Sequence, residues 1–67
     1  EVLNICGDTE FELNTLRIFS MEGQLIKQIS LHKTLTNYRL DLRGMSNGIY
    51  LLEIHSGGSM SWHKLVK

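Results

Sequence analysis

Sixty-seven residues make one domain at most, and a chain this short buries only about 60% of the surface its unfolded form exposes, so its core is thin. Cys6 is the only cysteine, which rules out a disulfide staple within the chain and fits either a reducing compartment or a secreted protein without bridges. Seven basic residues balance seven acidic ones with no basic stripe, which argues against nucleic acid as a partner, and the longest wholly apolar run, Ile49 to Leu52, is far short of the ~20 residues of a membrane span.

The first residues carry no signal peptide, and Glu1 is not a natural start, so the chain is expected to be a fragment or processed product. Val2 to Cys6 reads as a short strand ended by Gly7-Asp8. Thr9 to Leu13 alternates, with Phe11 and Leu13 on one face, as a strand or the lead-in to one. Leu16 to Ser20 is a clearer strand, with Leu16 and Ile18 on one face and Arg17 and Phe19 on the other. Met21 to Gln24 then reads as a tight turn, with Gly23 in the left-handed position of a bulged hairpin loop.

Leu25 to Leu31 is the return strand, but its apolar residues fall on both faces and leave its register open. His32 to Thr36 reads as a polar loop. Tyr38, Leu40 and Leu42 alternate with polar residues, the period-2 pattern of a half-buried strand. From Arg43 to Gly48 the chain reads as a connection, where Leu42 and Met45 pack down as one helical turn that a positive-φ Gly48 ends.

The most β-prone run is Ile49 to Ser56, bounded by Asn47-Gly48 and by the hairpin signal Ser56-Gly57-Gly58-Ser59. It is the expected central strand, joined by a two-glycine turn to a last strand, Met60 to Val66. In that register Ser56 pairs with Ser59, Leu52 faces His63, and Leu65 lies opposite Tyr50 on the core face, while Lys64 and Trp62 point the other way. No long window keeps a helical period, so the expected fold is all-β: a small antiparallel β-sandwich of six to seven strands.

Chemistry-bearing residues are scattered. His55 and His63 fall on opposite faces of the last hairpin and His32 lies in a loop, so no metal site is expected. The carboxylates do not converge on a cleft, and the serines include no nucleophile elbow, so no catalytic residue is expected. No phosphate-binding loop forms from glycines that sit at turn boundaries, and no cofactor is expected. Cys6 reads as a buried, inert thiol. Tyr50 reads as core; Trp62 is either half-covered packing or an exposed contact residue.

Three features together resemble a known family. Leu16 to Ile26 is similar to its segment of hydrophobic strand, turn, glycine and aliphatic residues. Leu40-Asp41-Leu42 through Asn47-Gly48-Ile49-Tyr50 to Ile54 resembles its leucine and Gly-x-Tyr signature, and His63 to Lys67 its closing lysine-plus-aliphatic ending. Val2 to Ile5 also fits its first strand. The family is the C-terminal sorting domain (type A) of type IX secretion cargo from Bacteroidetes bacteria. The Pro-Asn-Pro-like element that members usually carry before that strand is absent here: it lies upstream of Glu1 or is lost.

The resemblance implies that residues 1–67 are one immunoglobulin-like, non-catalytic domain at the end of a larger cargo protein. It implies that Gly23, Gly48, Tyr50, Lys64, Leu65, Val66 and Lys67 carry the motif. Lys64 and Lys67 are expected to serve recognition rather than stability. Implied partners are an outer-membrane translocon, a sortase-like peptidase and the upstream cargo domain, and the implied destination is the cell surface or outside, reached through the periplasm. The alternative is a small adhesion or carbohydrate-binding β-module, with Trp62, Tyr50 and Tyr38 as stacking residues.

Overall fold

The computed structural model describes residues 2–67. Its four strands are β1 (Val2–Ser20), β2 (Leu25–Asp41), β3 (Ile49–Ser56) and β4 (Ser59–Val66). They form one antiparallel sheet in the order β2-β1-β3-β4. The all-β, antiparallel expectation holds. The six or seven short strands expected merge into four longer ones, and the expected pair of sheets is one sheet. The first three expected strands run together as β1, and the next two, with the expected loop from His32 to Thr36, as β2.

Bulges explain the difference. Cys6 pairs with Asn37 and Phe11 with Leu35, so Gly7 to Glu10 oppose the single residue Thr36. The backbone closes tightly there: a Cβ on Gly7 would sit 2.9 Å from the Phe11 ring and 3.0 Å from the Thr9 carbonyl. The second bulge sets Asn14 against Leu31 and His32, with His32 at a φ of 53°. The third gives β2 the extra residue Ile26. An added residue reverses which face follows. That is why apolar residues between Leu25 and Leu31 of β2 read as two-faced; along β1, which gains no residue at the second bulge, the inward residues change from Leu13 to Leu16 and Ile18 across it.

The sheet folds over on itself. Nineteen residues of β1 laid straight would span about 60 Å, yet the molecule's longest dimension is 31 Å. Its far half, Val2–Cys6 with the paired stretch of β2, turns back so that Leu3 and Ile5 pack on the core. The near half carries all four strands. Leu13, Leu16, Ile18 and Leu52 from it, with Leu40 from the folded-back half, are at most 2% exposed. Cys6 is exposed, not buried: Leu3 and Ile5 take the inward positions and Cys6 falls on the opposite alternation.

Side chains hold the far end of the last hairpin against the second bulge. The Ser56 hydroxyl donates to the Glu12 carbonyl at 2.5 Å, and the Gly57 N–H donates to the Asn14 side-chain oxygen at 2.9 Å. Gly57 and Gly58, at φ values of 54° and 84°, supply the two positive values a two-residue hairpin turn needs.

Candidate recognition site

The motif residues gather at the other end of the near half. Ser20 pairs with Tyr50, which brings the turn after β1 beside the start of β3. Gly23 has a φ of 90°, and its N–H donates to the Ser20 carbonyl at 2.9 Å. A shallow depression between the two segments is lined by Met21 and Glu22 on one side and Asn47, Gly48 and Tyr50 on the other.

Tyr50 locks this corner. Its ring is buried among the core residues, and its hydroxyl donates to the Ser46 carbonyl at 2.6 Å. A buried ring tied back to the chain just before its strand fixes the path of that connection. The connection is a β-turn rather than the expected helical turn: the Met45 N–H donates to the Leu42 carbonyl at 3.3 Å, with Gly44 at a φ of 89°. Leu42 is buried and Met45 packs against the core, as expected. Gly48 has a positive φ of 158°, but it opens the ladder to β4 instead of ending a helix.

That ladder reaches Lys67. Gly48 and Lys67 exchange two backbone hydrogen bonds, each 2.9 Å, and the Lys67 ammonium donates to the Met45 carbonyl at 2.6 Å. Lys67 is therefore a structural clamp, contrary to the expectation of a surface charge with little part in stability. Leu65 lies opposite Tyr50 and is 5% exposed, while Lys64 and Val66 are exposed on the outer face. The registers of Ser56 with Ser59 and Leu52 with His63 are also as expected, so His55 and His63 face opposite sides. Among the described residues no group of three or more His, Cys, Asp or Glu comes together.

Two polar clusters escaped the sequence. Glu53 is 6% exposed on the outer face, with His55 Nε2 at 2.6 Å and Arg17 Nη1 at 3.4 Å from the same carboxylate oxygen. Trp62 meets Phe19 over that face at a centroid distance of 5.7 Å. Both readings of Trp62 are thus partly met: it stacks, yet stays 49% exposed. Beside the corner turn, Arg43 grips Asp41 through its side chain and its own N–H, and these bonds hold the Asp41 carboxyl well below the usual carboxylate range. The side-chain hydrogen bonds to Asp41, and then its charge, push the Arg43 guanidinium above its ordinary value. Nothing in residue type or spacing singled out either cluster.

A family model described as the secretion system C-terminal sorting domain matches residues 1–67. The chain belongs to that family. Comparison with curated proteins and with solved structures found no match. As a sorting domain, the chain is part of a larger cargo chain, interacts with a secretion system, and directs export to the cell surface or outside.

Proposed function

We propose that this sorting domain is a non-catalytic address for the type IX secretion system of Bacteroidetes. A cargo domain precedes it, an outer-membrane translocon reads the folded domain after its passage through the periplasm, and a sortase-like peptidase acts on it. The observation that carries this reading is the family match over residues 1–67. The gathering of Gly48, Tyr50, Leu65 and Lys67 at one corner supports it, because a folded corner gives a receptor a fixed surface. The folded-over sheet, with a core between its halves, also supports an immunoglobulin-like sandwich.

A sugar-binding module fits less well. Tyr50 is spent in the core and Trp62 lies on the opposite face, so these aromatics form no common platform. The test is a secreted reporter fused to residues 1–67 in a bacterium with type IX secretion. Lys64→Ala, exposed and outside the clamp, is expected to fold normally and impair export. Deletion of Leu65 to Lys67 is expected to abolish export. Wild-type export by both variants would overturn the address.

A further inference from the structure

We infer that β4 is a self-pairing edge: two copies of the domain join antiparallel along this strand, about a two-fold axis at His63, into one continuous sheet. β4 has β3 on one side and no strand on the other. Lys67 exchanges both backbone hydrogen bonds with Gly48, and the antiparallel ladder alternates from there. Leu65, His63 and Ser61 therefore turn their N–H and C=O groups to β3. Val66, Lys64, Trp62 and Met60 turn theirs outward.

The two outer edges of the four-stranded part differ. β2 is broken by bulges at Ile26 and His32 and carries Lys27 and Lys33 beside them, the usual protection of an edge. β4 keeps an unbroken register with β3 from Val66 to Ser59. Its outward row holds one charge, Lys64, among Val66, Trp62 and Met60, which are 64%, 49% and 53% exposed.

The row itself specifies what covers it. In full antiparallel overlap with a second copy, Met60 meets the partner's Val66 and Lys64 meets the partner's Trp62, each pair exchanging both backbone hydrogen bonds. The first pair is apolar; the second sets an ammonium beside an indole, a cation–π contact. Sliding the strands one way opposes Lys64 to the partner's Lys64, a like-charge pair that destabilises. Sliding them the other way leaves Val66 against the partner's Gly58, which has no side chain to meet it. Charge and shape thus select one register. The zero formal charge of the chain puts no net repulsion between copies. One strand per copy is less than a permanent interface buries, so the dimer dissociates on dilution. The two-fold consumes both β4 edges and leaves the guarded β2 edges outside, so the sheet stops at two copies. The inference rests on the strand alone and does not depend on the export reading.

The test is sedimentation velocity from micromolar to millimolar domain, with cysteine cross-linking to fix the register. Cys6→Ser first removes the sole native thiol. In that background His63→Cys places two thiols at the axis within disulfide reach, and mild oxidation is expected to give a covalent dimer. Met60→Cys, whose two copies lie about 20 Å apart across the pair, is expected to give none. Lys64→Pro removes only an outward N–H, so the expected result is loss of the dimer while the β3–β4 amides stay protected from exchange. Trp62→Lys sets lysines face to face and is expected to weaken the dimer roughly tenfold. A domain still monomeric at millimolar concentration would leave the edge to an unrelated strand and overturn the inference. Equal cross-linking of Met60→Cys and His63→Cys, or unchanged dimer affinity in Trp62→Lys or in folded Lys64→Pro, would overturn it as well.

Discussion

At Tyr50 two kinds of interaction share one side chain and can be separated. The ring fills core volume, while the hydroxyl holds the Ser46 carbonyl. Tyr50→Phe keeps the first and loses the second, so it should cost about 1 kcal/mol, and Tyr50→Ala about 3–5 kcal/mol. Urea titration of the three proteins checks the ratio; equal losses would mean that the hydroxyl alone sets the corner. Asp41 gives a prediction of a different kind. Its folded-state carboxyl is held below the ordinary value by Arg43, so the pair's contribution is present above about pH 4 and is lost as pH falls toward the folded value. Asp41→Asn should therefore lower the melting temperature at pH 6 by a small, salt-sensitive amount, and the gap should narrow as the solution is acidified. A gap that widens toward low pH would contradict the assignment.

The strand β4 shows how one element divides its residues between stability and surface. Leu65 fills the core opposite Tyr50, while its neighbour Val66 is 64% exposed opposite Ile49. Leu65→Ala should cost about 2–3 kcal/mol, and Val66→Ala less than about 0.5 kcal/mol. Similar melting temperatures for the two would refute the register. This hairpin was legible in the sequence because a two-glycine turn fixes register and an uninterrupted alternation fixes the face. Tyr50, Leu65 and the two histidines were placed from those facts alone. The long strands were not legible in the same way. A bulge inserts one residue and inverts the alternation, so Ile26 and His32 look like a lost pattern or a loop when β2 in fact continues through both. Cys6 was misplaced for a related reason: an apolar neighbour such as Ile5 does not say which of two adjacent residues turns inward. The Lys67 clamp needed a partner carbonyl, Met45, that no side-chain pattern announces.

Over the whole molecule, the two halves of the folded sheet are unequally supported. The near half joins four strands and is pinned at both ends, by Tyr50 and Lys67 at one and by Asn14 and Ser56 at the other. The far half is a two-stranded ribbon joined to the rest through bulges, and a two-stranded hairpin is marginal by itself in water. Its hold on the core is buried Leu40, with Leu42 just past the end of β2, and partly buried Leu3, Ile5 and Tyr38. Opening this ribbon breaks no pairing with β3 or β4, so its free energy should lie below that of global unfolding. Native-state amide exchange should show the hydrogen-bonded amides of Val2–Cys6 and of the β2 stretch opposite exchanging together, at a lower free energy than those of Tyr50 to Ile54. Leu40→Ala tests the assignment further. Leu40 is fully buried but belongs to the ribbon, so the substitution should speed exchange there more than in β3 at low denaturant. A single exchange free energy throughout, lowered uniformly by Leu40→Ala, would mean that the folded sheet opens as one unit.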